Sequence, residues 1–290
     1  MKIATLGPQG TYSEEAARYY HRLHYADEPL EIVFTTVNRS LWLVQNRQAD
    51  LAIVPVENMI DGLIGSTFDA LIEYQDFVKV CDEIHLPIAH VLATKPETDW
   101  KRIKKILSHP SPLNQCQNRL EQMFPEAELI PVLSTAEAAE TVLKDDTDSS
   151  AAICNRSNAE SKKMKIFEGQ IQDYAVNETR FLVCALQDGV VTGNDLTLMV
   201  VRYGTNQPGQ LFQTTKHLAD AGVDLTFVQS RPYKIKPQDY LLIFEFIGHK
   251  SDHHVEQALK NIELQVRQSD GWKKILGSFP RRERINHHGD

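Results

Sequence analysis

The sequence predicts an α/β protein in two parts: two α/β lobes in series, then a smaller module of ferredoxin-like order. Three observations carry this. Short apolar runs alternate with helical patterns from Ile3 to Cys154. A Gly-containing polar stretch from Gln187 to Asp195, "QDGVVTGND", reads as a linker. Beyond it the pattern changes to strand, helix, two strands, helix, strand, the βαββαβ order.

The elements follow in turn. Ile3 to Leu6 reads as a strand, Thr11 to Tyr20 as a helix, Glu31 to Phe34 as a strand, Ser40 to Gln48 as a helix and Leu51 to Pro55 as a strand. A long extended stretch, Val80 to Thr94, opens the second lobe. Its strand Ile103 to Ser108, helix Pro112 to Phe124, strand Leu129 to Val132, helix Thr135 to Leu143 and strand Ala151 to Cys154 repeat the alternation. In the last part, Leu196 to Arg202, Leu225 to Ser230 and Tyr240 to Ile247 read as strands. Gly209 to Asp220 and Asp252 to Asn261 read as helices, and a short strand precedes Phe279. The charged end, "RRERINHHGD", reads as a frayed tail over 281–290.

Composition narrows the function. A net charge of −8 argues against a broad nucleic-acid surface. No apolar run approaches the length of a membrane helix, and the first residues, "MKIATLGPQG", do not read as a signal peptide. Cys81, Cys116, Cys154 and Cys184 are widely spaced, which fits reduced thiols of a cytoplasmic protein and neither a disulfide framework nor a zinc site. No metal or cofactor motif is present: the first turn lacks GxGxxG and the P-loop pattern, and the histidines form no HExxH.

The polar residues worth weighing gather where strands end, which is where open α/β sheets place ligands. "TLGPQGTYSEEAA" follows the first strand, and Thr11 or Ser13 there reads equally well as a plain helix cap or as an anion site at a helix start. Glu57 and Asn58 leave the third strand directly, although Asn58 and Gly62 also suit a turn. Ser108 and Gln115 flank a strand end in the second lobe, and Ser134 and Thr135 form another helix start. "NETRFLV" places Asn177, Thr179 and Arg180 at the mouth of an apolar strand. Thr179 alone is well explained as a β-branched strand residue, whereas Arg180 suits a bidentate carboxylate. From these residues the reading is a cleft for a small, multiply charged acid.

The ordered segments "GPQGTYSEEAA", "VPVENMIDG", "SHPSPLNQC" and "NETRF" resemble the motifs of prephenate dehydratase. "QPGQLFQTTKHLADAGVDLTFVQSRP" and "LGSFP" resemble the regulatory ACT domain that follows it in that family. The resemblance runs from Lys2 to Pro280. It implies a two-lobed, periplasmic-binding-protein-like catalytic domain over 1–187, with lobes of roughly 1–79 plus 175–187, and 80–174. It implies an ACT domain of βαββαβ order over 195–280. The implied activity is that of a hydro-lyase without cofactor: prephenate to phenylpyruvate, carbon dioxide and water, in phenylalanine synthesis. It implies Thr179 as the key catalytic residue, with Glu57 as a relay neighbour and Arg180 on the substrate's carboxylates. Thr11, Ser13, Asn58, Ser108, Gln115, Ser134, Thr135, Asn177 and Phe181 would bind or orient the substrate. Gly209, Gln210 and Leu211, with Gln229, Ser230, Arg231 and Pro232, would bind L-phenylalanine as effector in a homodimer or homotetramer.

The chain departs from the family pattern in places. Met59 stands where Ser is usual, Ser111-Pro112 where Gln-Ala is usual, Gln210 for Ala and Gln229 for Glu. Met59 keeps open a competing reading, a non-catalytic amino-acid sensor. Arogenate, with an amine for the keto group, is a second competitor. The lack of a transit peptide favours prephenate, and a first strand beginning at Ile3 argues against a fused chorismate mutase ahead of it.

Overall fold

Period-2 apolar runs and period-3.6 stripes sort into three sheets. The computed structural model describes residues 1–205, 207–233 and 239–283. In the first lobe, β1 (Lys2–Leu6) lies parallel between β2 (Glu31–Thr35) and β3 (Leu51–Asn58). The short β4 (Gly62–Leu63) folds back on β3. Helices α1 (Tyr12–His24), α2 (Val37–Gln45) and α3 (Gly65–Glu73) cover this sheet. α3 went unseen in the sequence because Gly, Ser and Thr fill its first turn, where helix propensity is weak.

β5 (Lys79–Pro87) belongs to this first sheet, where it pairs with β11 (Glu178–Ala185). The lobe change expected at residue 80 therefore falls at Ile88–Ala89. The apolar stretch from 80 to 94 is two strands of two different sheets, and apolar alternation alone carries no mark of the break.

The second lobe has the sheet order β10-β6-β9-β7-β8. Its strands are β6 (His90–Thr94), β7 (Lys105–Ser108), β8 (Glu128–Pro131), β9 (Ser150–Asn155) and β10 (Lys165–Gly169). The helix expected over Pro112–Phe124 is two, α4 (Pro110–Gln115) and α5 (Gln117–Met123), broken at Cys116, whose ψ of 4° leaves the helical range. α6 (Thr135–Lys144) is as expected, while α7 (Arg156–Ser161) and β10 are additional. The two chain crossings between lobes lie side by side: Ile88 N–H donates to the Asn177 carbonyl and Ile171 N–H to the His90 carbonyl. β11 then enters the first sheet antiparallel between β3 and β5. This is the two-lobed arrangement expected.

The last part is βαββαβ: β12 (Asp195–Arg202), α8 (Gln210–Asp220), β13 (Leu225–Pro232), β14 (Tyr240–Ile247), α9 (His253–Arg267) and β15 (Trp272–Pro280). Its sheet order is β13-β14-β12-β15, all antiparallel. β15 has nine residues, longer than the short strand expected. One face of this sheet packs on α8 and α9 through Met199, Phe244, Phe246 and Ile262. The other face, with Leu198, Val200, Ile243 and Leu276, shares one core with Val54, Leu71 and Leu182 of the first lobe. Each such fully buried side chain contributes roughly 1.5–3 kcal/mol. The module is thus fixed to the first lobe by a common core. Of the tail, Arg282 is held by Asp82 at 2.6 and 2.7 Å, so the fraying expected from 281 does not begin there; residues 284–290 lie outside the described residues.

Candidate active site at the lobe junction

β3 and β11 set the centre of the site. Strand side chains alternate, so a ligand-facing residue needs the correct phase. Pairing runs Leu182 with Val54 and Phe181 with Pro55, then Arg180 with Glu57 and Thr179 with Asn58. Val56 has no partner in this ladder: it is a bulge, and it shifts the phase of β3 by one residue. The shift sends Asn58 to the same face as Thr179.

There Asn58 Nδ2 donates to Thr179 Oγ1 at 2.9 Å, to Asn177 Oδ1 at 3.0 Å and to the Glu178 carbonyl at 3.2 Å. Asn58 Oδ1 in turn accepts the N–H groups of Ile60 and Asp61, both at 3.0 Å. The amide is therefore clamped in one orientation from both ends. Because Thr179 Oγ1 accepts from Asn58, its own proton is left to point elsewhere, and among the described residues it has no acceptor.

The network continues into the second lobe. Asn177 Nδ2 donates to Gln115 Oε1 at 2.9 Å, and His90 Nε2 lies 2.9 Å from the same oxygen. The other ring nitrogen of His90 lies 2.9 Å from the Tyr12 hydroxyl. Burial pushes His90 below its ordinary pKa, against the opposing pull of Gln115 and Asp61. A neutral ring facing a carbonyl oxygen on Nε2 carries its proton there, which leaves Nδ1 as an acceptor; the single Tyr12 hydroxyl proton is shared between that nitrogen and the Ala89 carbonyl, 2.8 Å away. Gln115 Nε2 donates to Ser111 Oγ at 3.0 Å and to Asp61 Oδ2 at 2.9 Å, and Ser111 also donates to Asp61. An exposed carboxylate from one lobe thus sits on two donors of the other, across the cleft mouth.

Several expected residues meet here: Asn58, Gln115, Asn177 and Thr179, with Phe181 buried in the core behind them. Others do not. Arg180 is on the opposite face of β11, where Nε lies 2.7 Å from Glu83 and Nη2 2.6 Å from Glu245 of the module. Those two carboxylates hold it behind the sheet, so it is not available to a substrate carboxylate beside Thr179. Glu57, its ladder partner, lines the same rear cavity and cannot relay protons to Thr179 through the sheet. Ser108 is spent inside the second lobe on the Ile153 carbonyl at 2.8 Å.

The two helix starts are largely satisfied internally. Ser134 caps α6 through Glu137 N–H at 3.0 Å, with Thr135 buried beside it, and the Glu137 carboxylate accepts Leu133 N–H at 2.8 Å. At α1, Glu14 takes Gly10 N–H at 2.6 Å and Thr11 donates to the Pro8 carbonyl, while Ser13 is buried on the helix. Tyr12, Asp61, His90 and Ser111 were missed in the sequence. Tyr12, Asp61 and Ser111 lie inside quoted motifs, but nothing local marks His90.

A second cavity, of about 240 Å³, lies in the module at the start of α8. Gly209, Gln210, Leu211 and Ser230 line it, together with Tyr203 and Tyr240. Gln229, Arg231 and Pro232 are not among its walls. Arg231 instead reaches the first lobe and pairs with Asp69 of α3 at 2.9 and 3.0 Å. Met59, in place of the usual Ser, is 55% exposed, and its backbone N–H still donates to the Glu178 carbonyl, so the local ladder is intact.

Two α/β lobes with a hydroxyl at their junction and an attached ferredoxin-like module define a two-lobed cleft protein carrying a second α/β module. The prephenate dehydratase family profile matches residues 3–188, and the chain belongs to that family. The bifunctional chorismate mutase/prephenate dehydratase of Aquifex aeolicus is 33% identical over 283 residues, covering 97% of this chain and 74% of that one. Prephenate dehydratase of Methanocaldococcus jannaschii is 30% identical over 277 residues, 94% and 96% of the two chains. The crystal structure of prephenate dehydratase from Arthrobacter aurescens in complex with L-Phe superposes with a TM-score of 0.87 at 30% identity, covering 99% and 94%.

Proposed function

We propose that the chain is a carbon–oxygen lyase that converts prephenate to phenylpyruvate, carbon dioxide and water, with Thr179 as its catalytic residue. The substrate carries the driving force. The ring carboxylate leaves as carbon dioxide, its bonding electrons complete the aromatic ring, and the carbon–oxygen bond on the far side of the ring breaks. The departing oxygen takes the electron pair and a proton and leaves as water. The protein has only to hold the dianion and support the leaving oxygen.

The free proton of Thr179 carries this reading. Its hydroxyl donates to the departing oxygen, Asn58 Nδ2 stabilises the charge that develops on Oγ1, and solvent in the cleft returns the proton to Oγ1, so the one proton the reaction consumes comes from water. Asn177, Gln115, His90 and Tyr12 keep Asn58 and the lobe junction in one arrangement. Ser111 and Gln115, now on the Asp61 carboxylate, are the donors a substrate carboxylate would take over. Phenylpyruvate formation from prephenate by wild type, set against Thr179→Val, tests the assignment; equal rates would end it.

The module cavity is the effector site in this reading, since the Arthrobacter aurescens relative holds L-Phe. Gly209, Gln210, Leu211 and Ser230 would form its wall. β13 is an edge strand with Val228 exposed, and Leu211 and Phe212 of α8 are also exposed, which supports a homodimer or homotetramer formed through the module. Solution scattering that returned a monomer would overturn the assembly.

A further inference from the structure

Thr179 stands between two charged neighbours whose side chains both point away from it. Glu178 accepts from His85 Nδ1 at 2.8 Å, and Arg180 is held by Glu83 and Glu245. His85 Nε2 lies 3.6 Å from Glu83, so the rear of β11 carries one continuous cluster: Glu178, His85, Glu83, Arg180, Glu245. Four members belong to the first lobe. Glu245 comes from β14 of the module, and Thr226 of β13 donates to its second oxygen at 3.0 Å. Arg180 is 15% exposed and Glu245 7% in their side chains, so the bridge is shielded from solvent and salt.

We propose that Arg180 is a positioning residue: its bridge between Glu83 and Glu245 sets the pose of Thr179 and transmits the state of the ferredoxin-like module to it. The geometry explains why such a link works. Arg180 and Thr179 are adjacent on one strand, so any shift of β14 that pulls Glu245 turns β11 at Arg180 and displaces Thr179 Oγ1 from Asn58. The cavity at α8 is walled by Tyr240 and Leu242, which lie on the same strand as Glu245. Occupation of that cavity therefore acts on the strand that holds Arg180. The regulatory half of this inference rests on the L-phenylalanine reading above; the positioning half does not.

Glu245→Gln is the informative change. The cluster holds three carboxylates against Arg180 and a protonated His85, so neutralising one of them balances the charge and the chain should fold. The expected result is a fall in kcat of roughly tenfold to a hundredfold with KM for prephenate changed less than about threefold, because the pose of one hydroxyl is lost and binding is not. L-phenylalanine should still give heat in calorimetry with the variant, while its effect on kcat disappears. Thr226→Val, at an exposed edge position, should move both readouts the same way by a smaller factor, and serves if Glu245→Gln fails to fold. Unchanged kcat and an unchanged response to L-phenylalanine in a folded variant overturn the proposal. No heat with wild type would remove the effector reading and leave the kcat arm to decide positioning.

Discussion

Asn58 Nδ2 donates to Thr179 Oγ1 at 2.9 Å across the β3–β11 ladder, and it reaches that oxygen because Val56 is an unpaired extra residue in β3. Without the bulge, Asn58 would share the face of Val54 and point into the core common to the first lobe and the module. The site therefore depends on a local irregularity of the sheet.

Replacing Thr179 with Val keeps the β-branched shape and removes the hydroxyl. Turnover of prephenate should fall by roughly 100-fold or more, as for loss of a positioned donor in the transition state. Thermal unfolding should shift little. A variant that kept more than about a tenth of wild-type turnover would mean the leaving oxygen is supported elsewhere.

Asn177 is fully buried and bridges Asn58 to Gln115. Asn177→Leu removes its bonds to Asn58 and Gln115, whose amides keep Thr179, the Glu178 carbonyl and His90 as partners, at a cost of about 0.5–1.5 kcal/mol per bond lost. Urea unfolding should show that loss, and kcat should fall with it. A stability equal to wild type would show that the bridge is replaced by water.

Asp61 puts a carboxylate on the donors assigned to a substrate carboxylate. Asp61→Asn should lower KM for prephenate, by roughly fivefold for about 1 kcal/mol of like-charge repulsion at an exposed position. Steady-state kinetics at low ionic strength would read it. A raised KM would instead make Asp61 part of the closed cleft that holds the substrate.

The rear cluster makes stability depend on pH. Burial works against the charged His85 ring, but its hydrogen bonds to Glu178 and Glu83 outweigh this and raise its pKa to about 9. Arg180, Arg281 and Arg282 with Glu57, Glu245 and Glu283 are the other charged groups lining the cavity on which it opens, among the described residues. The folded value lies above the unfolded one, so this contribution is complete below about pH 6.5 and is lost as pH rises through about 9. After allowance for solvent, the loss should be on the order of 2 kcal/mol. Urea titrations at about pH 6.5 and about pH 9.5 would measure it, and His85→Gln should flatten the difference. Equal slopes for the two proteins would exclude His85 as the cause.

Gly209 has a φ of 86° at the start of α8, a conformation that costs a side chain roughly 1–2 kcal/mol. Gly209→Val should distort the mouth of the module cavity and weaken L-phenylalanine binding, with turnover in the absence of effector largely kept. Calorimetry showing wild-type affinity would place the effector elsewhere.

Much of the fold and part of the site were legible in the sequence. Period-2 and period-3.6 patterns located most strands and helices, and the ordered motifs singled out Asn58, Gln115, Asn177 and Thr179. The pattern failed where local propensity is weak, as in α3, or where a single proline, Pro87, is the one mark between two apolar strands, as between β5 and β6. It failed most consequentially at Arg180 and Glu57. Adjacent to residues that do line the junction, they looked like partners of Thr179, yet strand alternation turns Arg180 to the back and the Val56 bulge turns Glu57 there with it.

The sequence by itself determined the composition of the strands, the order of the lobes and the presence of a hydroxyl flanked by polar residues at a strand mouth, because these depend on neighbours along the chain. Only the tertiary structure decided which face each residue serves. The phase of β3 is set by how it pairs with β11, a strand distant along the chain, and no pattern local to "VPVEN" or "NETRF" contains that register. The same holds for His90 and Asp61, which enter the site because two lobes close on one another, and for Glu245, which reaches Arg180 because the module shares a core with the first lobe.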